Sequence, residues 1–193
     1  MPVTGLQYAV LGTPKRVFLE PQPPAKESWG SGSVGGSPDS RQILYSRHNR
    51  VLTVDIETGE REEIAEGNNP AWSPDGRWIS YVTLDRRPVL MDPSTRRVIK
   101  LWGGRQLTGP MAWSPDSCCI SFSSDARDIR DMSDLIYPAG RLIIYRISDG
   151  SWFKFSGFYG FMVGGESSAG LGWFYGYREF LARNEANGRA LRK

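Results

Sequence analysis

A tripeptide, Ser-Pro-Asp, recurs at nearly regular distances along the middle of this chain of 193 residues. Its serines are Ser37, Ser73 and Ser114, so successive copies start 36 and 41 residues apart. In the second and third copies Ala-Trp comes immediately before the serine, and an apolar, β-rich stretch follows the motif in all three. A unit of about 40 residues hides its apolar surface only against neighbouring units, so the spacing predicts a repeat array.

Each repeat is expected to contain four strands. In the second repeat, segments 70–73 and 77–83 flank a Pro-Asp-Gly turn, and segments 88–92 and 96–101 flank a Pro-Ser-Thr turn. The corresponding segments of the other repeats are 42–46, 51–56 and 61–65 in the first, and 118–123, 141–147 and 152–155 in the third. The 22 glycines and 13 prolines also favour many tight turns. This pattern predicts an all-β chain, a small β-propeller of four-stranded antiparallel blades.

The number of blades follows from counting repeats. A degenerate fourth copy starts at Leu171, where Trp173 aligns with Trp72 and Trp113. We therefore expect one domain over residues 1–193, with strands at 6–11 and 16–20 joining the last blade so that the two chain ends close the ring. The blades are expected at 28–66, 67–107, 108–157 and 158–193. Five blades also fit the length, and a ring completed by a partner chain is an alternative.

The repeats resemble those of a known family. AWSPDGRWISY and AWSPDSCCISF are similar to the WD-like propeller repeats of TolB-type proteins and of the propeller domains of prolyl-oligopeptidase-like enzymes. The resemblance covers residues 35–155. It implies the propeller fold and says little about activity, because such propellers serve many functions.

The sequence shows no catalytic constellation. It has no Gly-x-Ser-x-Gly motif, and its single histidine, His48, is expected in a surface turn. Residues 30–35 match Gly-x-Gly-x-x-Gly, but they lie between a proline-rich linker and a Ser-Pro-Asp turn, where a dinucleotide site requires a strand and a helix. The recurring aspartates are expected to stabilise turns, because each occupies the same place in its repeat: Asp39, Asp75 and Asp116. We therefore expect a protein that is not an enzyme and needs no cofactor.

A metal site is also not expected. Four aspartates recur at three-residue intervals in the insertion 125–138, but arginines lie between them, which favours an ion-paired surface over a cation site. These residues are Asp125, Asp128, Asp131 and Asp134, with Arg127 and Arg130 between them. Cys118 and Cys119 are predicted to point to opposite faces of a strand and so not to pair, as suits a reducing compartment.

The charge distribution favours a partner other than nucleic acid. Five basic and two acidic residues lie at 178–193, an excess equal to the net charge of +3 for the whole chain. An RNA contact through this tail remains an alternative; its basic residues are Arg183, Arg189, Arg192 and Lys193. The chain begins without a signal-peptide pattern and has no apolar run of about 18 residues, so a cytoplasmic location is expected. Peripheral contact with a membrane through tryptophan and tyrosine is compatible with this.

Two departures from the repeat are the predicted docking surfaces. One is the Asp/Arg insertion 125–138, and the other is the segment 156–173, which is rich in glycine and aromatic residues. The candidate partner-binding residues are Phe158, Tyr159, Phe161, Met162, Asp128, Arg130 and Asp131. The predicted function is a non-catalytic propeller that binds another protein as an accessory subunit of a larger assembly. The alternative is a small-ligand-binding, carbohydrate-binding or degenerate hydrolase-associated propeller, with its ligand in a central channel near Ala71 and Ala112.

Overall fold

The computed structural model describes residues 5–9, 16–21, 33–101, 107–124, 140–158 and 182. These residues form fourteen strands, arranged as one two-stranded and three four-stranded antiparallel sheets. Within the same ranges no helix has the length and apolar character needed to cross a membrane.

The three four-stranded sheets are the first three predicted blades. Blade 1 consists of β3 (Val34–Gly36), β4 (Gln42–Arg47), β5 (Arg50–Asp55) and β6 (Arg61–Glu66). Blade 2 consists of β7 (Asn68–Trp72), β8 (Ile79–Val82), β9 (Pro88–Met91) and β10 (Val98–Lys100). Blade 3 consists of β11 (Leu107–Trp113), β12 (Cys119–Ser124), β13 (Gly140–Arg146) and β14 (Trp152–Phe158). Strand order in each sheet follows chain order, and the first strands lie next to one another, as expected for propeller blades.

The two predicted N-terminal strands are confirmed. They are β1 (Gly5–Ala9) and β2 (Arg16–Pro21), which pair antiparallel with Gly5 opposite Pro21. The predicted fourth blade, which this hairpin is expected to join, falls on residues 159–181 and 183–193, outside the described residues. Blade number and ring closure therefore stay predictions.

Two of the hydrophobic core clusters of the described chain lie in the seams between neighbouring blades, and a third, formed by Ile43, Tyr45 and Val54, lies on the other face of blade 1. The seam between blades 1 and 2 is filled by the apolar side chains of Leu44, Val51, Ile79, Tyr81, Val89 and Met91. The seam between blades 2 and 3 is filled by Val82, Leu90, Leu101, Met111, Ile120, Phe122 and Ile143. Blade 2 contributes to both seams because neighbouring residues of a strand point to opposite faces of the sheet. Trp72 packs in the first seam and Trp113 in the second, which confirms their predicted place between blades.

The structure corrects the prediction for the two cysteines. Strand β12 begins at Cys119, and Cys118 belongs to the preceding turn, where Ser117 has a φ of 59°. The alternation of side chains along a strand therefore does not apply to Cys118. The two Sγ atoms lie 3.0 Å apart, and both thiols are free. Burial raises the pKa of the Cys119 thiol, and the adjacent Cys118 side chain raises it further.

Candidate functional site: the two ends of the blades

The Ser-Pro-Asp motif forms the same hydrogen-bonded turn in all three blades. The serine hydroxyl donates to the carboxylate of the aspartate at 2.6 Å, 2.6 Å and 2.7 Å in blades 1, 2 and 3. The same hydroxyl oxygen accepts the backbone N–H five residues further on, at 2.9 Å in each blade. The carboxylate in turn accepts the backbone N–H two residues after the aspartate, at 3.1 Å, 3.1 Å and 3.2 Å. Asp39, Asp75 and Asp116 therefore stabilise turns, as predicted.

The residue that follows each of these aspartates has a left-handed backbone. The φ angles are 60° at Ser40, 73° at Gly76 and 59° at Ser117. Glycine adopts this conformation without steric cost, as predicted for Gly76, whereas serine does so at a small cost. Ser117 also accepts the backbone N–H of Asp75 at 3.0 Å, a contact between blades 2 and 3.

The turns between the third and fourth strands lie at the same end of the blades as the Ser-Pro-Asp turns. Here Asp55 accepts the backbone N–H of Thr58 at 2.8 Å, and Asp92 accepts that of Ser94 at 2.8 Å. The Ser94 hydroxyl also donates to Asp92 at 2.6 Å. These bonds, led by the one from the Ser94 side chain, lower the pKa of Asp92 to about 2. Aspartates at this end, which we call the Ser-Pro-Asp end, are thus acceptors within their own turns.

Acid is expected to destabilise the protein through these turns. The folded-state pKa of Asp92, about 2, lies below the unfolded value of about 3.9. The stabilisation is therefore fully present above about pH 4 and is lost as the pH falls towards about 2. Hydrogen bonding also lowers the pKa of Asp39, Asp55 and Asp149.

Thermal unfolding of the wild type and Asp92→Asn between pH 7 and pH 2 tests this expectation. The variant should melt at a lower temperature than the wild type at neutral pH, and its melting temperature should fall less between pH 4 and pH 2. Asp55→Asn is the matched variant in blade 1. Parallel curves for wild type and both variants would contradict the assignment.

The opposite end of the blades carries the turns between second and third strands. In blade 1 this turn is His48-Asn49, with φ angles of 49° and 63°, and His48 is exposed. The predicted surface-turn position of His48 is thus confirmed. The turn is held against the next connection, because Asn49 accepts hydrogen bonds from the Gly67 backbone and from the Asn68 side chain, at 2.7 Å and 2.9 Å. In blade 3 the same connection is the Asp/Arg insertion, which lies outside the described residues.

Strand register brings the bases of both predicted docking segments to this end of blade 3. Ser124, just before the insertion, pairs with Arg141, and Gly140, two residues after the insertion, pairs with Phe158. Phe158 is the last residue of β14, after which the aromatic segment continues. Paired strands lie about 5 Å apart, so the two segments leave the sheet side by side. We call this region the blade 3 loop end.

The predicted partner-binding residues are only partly covered by the structure. Phe158 is placed by its backbone at the blade 3 loop end. The other six lie outside the described residues: Tyr159, Phe161, Met162, Asp128, Arg130 and Asp131. Among the described residues no three His, Cys, Asp or Glu side chains are close enough together to bind a metal ion.

Two carbonyl groups of the first strands, which the alternative function assigns to a ligand channel, are engaged within their own blades. The carbonyl oxygen of Ala71 accepts the Ser80 hydroxyl at 3.2 Å, and that of Ala112 accepts the Ser121 hydroxyl at 3.3 Å. These contacts were not predicted, although both serines stand seven residues after a motif serine, a regularity that is visible in the sequence.

Comparison with known proteins supports the fold. No protein-family model and no curated protein matches the chain. Among solved structures, TolB from Acinetobacter baumannii is similar with a TM-score of 0.55 and 22% identity, over 76% of this chain and 36% of that one. Oligogalacturonate lyase from Vibrio parahaemolyticus is similar with a TM-score of 0.52 and 14% identity, over 79% of this chain and 46% of that one. An oligogalacturonate lyase in complex with manganese is similar with a TM-score of 0.54 and 16% identity, over 80% of this chain and 47% of that one.

These similarities define the class of protein. The chain is a β-propeller with antiparallel four-stranded blades. More particularly, its fold is TolB-like, which confirms the resemblance seen in the repeats. The chain spans between about a third and a half of the length of the structures it matches. Since they include lyases, the same fold also occurs in enzymes.

Proposed function

We propose that this chain is a non-catalytic protein-binding module that docks its partner at the blade 3 loop end. The observation that carries the proposal is the register of blade 3, in which Ser124 pairs with Arg141 and Gly140 pairs with Phe158. In this register the bases of the two segments that depart from the repeat lie on paired strands of one sheet. Recognition loops on a rigid scaffold are a common arrangement for binding.

The chemistry of the two segments defines the partner. The aromatic segment contains Phe158, Tyr159, Phe161 and Met162, residue types that are enriched at the centre of protein interfaces. The insertion contributes alternating Asp and Arg, which suit a charged rim. The partner proposed here is a protein with an exposed apolar patch bordered by charges of both signs, in an assembly in the cytoplasm or at a membrane surface.

The chemistry of the repeats supports the non-catalytic part of the proposal. The serine hydroxyls and aspartate carboxylates of the motif already bond to one another and to backbone N–H groups. His48 is an exposed turn residue. A nucleophile and a base held for reaction would need hydrogen-bonding atoms that are not committed to turns.

A site-specific crosslink tests the docking surface. A photoreactive residue at Phe161 is expected to capture a defined partner in the source cells, whereas the same group at the exposed Arg97, at the Ser-Pro-Asp end, is not. With that partner purified, the combined Tyr159→Ser, Phe161→Ser and Met162→Ser variant should bind at least tenfold more weakly. Arg97→Glu is the surface control and should bind as the wild type does.

Folding of the triple variant is checked by its circular dichroism and melting temperature. Loss of binding with an unchanged melting temperature supports the docking surface. Equal affinity of the triple variant and the wild type, or capture from position 97 alone, would overturn it.

A carbohydrate ligand is the second candidate, because two of the similar structures are oligogalacturonate lyases. Thermal-shift measurements with oligogalacturonate, with manganese and with both together distinguish the candidates. A non-catalytic docking module should show no shift. A saturable rise of several degrees with the saccharide would favour the ligand-binding alternative.

A further inference from the structure

Blade 3 carries two thiols that its Ser-Pro-Asp turn does not require. The residues four and five positions after the motif serine are Arg41-Gln42 in blade 1, Arg77-Trp78 in blade 2 and Cys118-Cys119 in blade 3. In every blade the backbone N–H groups of this pair donate to the motif aspartate and the motif serine. Because unrelated side chains accompany the same turn in blades 1 and 2, the turn does not explain why blade 3 has cysteines.

The two thiols face each other but differ in their access to solvent. Cys118 is half-buried, whereas Cys119 is 0% exposed. Their Sγ atoms lie 3.0 Å apart. A disulfide bond is about 2.05 Å long, so an approach of about 1 Å would join the two sulfurs. The chain has only these 2 cysteines, so each is the only partner within the chain for the other.

We propose that Cys118 and Cys119 are a redox-responsive site, which a low-molecular-weight disulfide such as oxidised glutathione converts into a disulfide between adjacent residues. The Cys118 thiolate attacks one sulfur of the oxidant, forms a mixed disulfide and displaces one small thiolate. The Cys119 sulfur then attacks the Cys118 sulfur and displaces the second small thiolate. Each displaced thiolate takes up the proton of the cysteine that displaced it, so two protein thiols are oxidised and one small disulfide is reduced to two thiols.

Burial sets the order of the two attacks. The half-buried Cys118 is the thiol that an oxidant in solution reaches first, and Cys119 meets the reacting sulfur only from inside the blade. Burial also raises the pKa of the Cys119 thiol, which disfavours its direct reaction with an oxidant. The site depends on no docking partner, so the proposal stands apart from the proposed function.

The disulfide would be strained and therefore easily reduced. A trans peptide holds neighbouring Cα atoms about 3.8 Å apart, whereas bridged cysteines are usually separated by about 4.4 Å or more. Hydrogen bonds hold the connecting peptide on both sides: the Cys118 carbonyl oxygen accepts the Ile147 backbone N–H at 2.9 Å, and the Cys119 backbone N–H donates to the Ser114 hydroxyl oxygen at 2.9 Å. Closure strains these bonds, and strained disulfides in reducing compartments are the transient, redox-sensing ones.

Intact-mass measurement of the full chain in glutathione buffers tests the site. As the oxidised fraction rises, the wild type should lose two hydrogen atoms and both alkylation sites, carry no glutathione, and regain both thiols with dithiothreitol. Cys119→Ser should stop at one glutathione adduct, because the second attack is missing. Cys118→Ser should form its adduct at least about tenfold more slowly than Cys119→Ser, because only the buried thiol remains.

Thermal unfolding measures the strain. A ring of two adjacent residues removes little entropy from the unfolded chain, so the strain of closure should dominate its effect on stability. The oxidised wild type should melt several degrees below the reduced wild type, and dithiothreitol should restore the difference. The melting temperature of Cys118→Ser should be the same before and after treatment, and circular dichroism checks that both single variants are folded.

Three results would overturn the proposal. One is a wild type that keeps a glutathione adduct on each cysteine, which would mean that the two sulfurs do not join. Another is a covalent dimer as the product of oxidation. The third is a wild type that closes the bridge in urea but stays reduced when folded, since the folded blade would then prevent the reaction.

Discussion

Gly67→Ala is expected to lower the free energy of unfolding by about 3 to 5 kcal/mol, because the new methyl group collides with neighbouring backbone. Gly67 is a buried residue that joins blade 1 to blade 2, and its φ is 156°. A Cβ atom there would lie 2.5 Å from the carbonyl oxygen of Val82 and 2.7 Å from the Tyr81 ring. Both neighbours belong to β8, so relief requires the connection to move away from blade 2.

Gly59→Ala is the control that separates collision from backbone strain. Gly59 has a φ of 74°, and no atom lies within 4 Å of the place where its Cβ would be. This substitution carries only the cost of a left-handed backbone, about 1 kcal/mol. Urea unfolding followed by circular dichroism compares the two variants. Equal losses would contradict the close approach between Gly67 and β8.

Ser73→Ala is expected to lower the free energy of unfolding by about 2 kcal/mol. Ser73 is 0% exposed; its hydroxyl donates to Asp75 at 2.6 Å, and its oxygen accepts the Trp78 backbone N–H at 2.9 Å. Removing the hydroxyl leaves that N–H without its side-chain acceptor and removes one of the hydrogen bonds that the Asp75 carboxylate accepts. Ser114→Ala removes the same bonds in blade 3 and should cost a similar amount.

Ser94→Ala is the matched control, measured by the same urea titration. The Ser94 hydroxyl also donates to an aspartate at 2.6 Å, but it is exposed, so water replaces the lost bond at a cost of about 0.5 kcal/mol or less. If Ser73→Ala were as mild as Ser94→Ala, the motif would not be the structural turn described here. A role for the motif outside folding would then have to be considered.

The blades were predictable because short stretches of sequence determine their turns and strands. All hydrogen bonds inside a Ser-Pro-Asp turn join residues at most five positions apart, so a short stretch of sequence determines the turn. Alternation of apolar residues then predicts the strand that follows, as in β8 and β12. The tryptophans before the motif were predictable for a related reason, because a blade has two apolar faces and both need cover.

The cysteine pair and the contacts between blades were not predictable in this way. A single left-handed residue, Ser117, takes Cys118 out of the strand; the serine side chain does not indicate this conformation, which only alignment with Gly76 in the second repeat could have suggested. The bond from Asp75 to Ser117 joins residues 42 positions apart. Such contacts depend on how one blade is placed against the next, which local patterns do not encode.

For the candidate site, too, one part was predictable from the sequence and another part required the structure. The sequence alone shows that the insertion and the aromatic segment depart from the repeat. That they leave the sheet side by side follows only from the pairing of Gly140 with Phe158 and of Ser124 with Arg141.

Sequence alone therefore determined the repeat, its four strands and its turns, because residues within a few positions satisfy their own hydrogen bonds. Tertiary structure decided which distant groups meet: Trp113 with Ser80, Gly67 with β8, and the two departing segments at one end of blade 3. The physical reason is that strand register and the packing of blade on blade are set by many weak contacts acting together, and no short segment of the chain contains them.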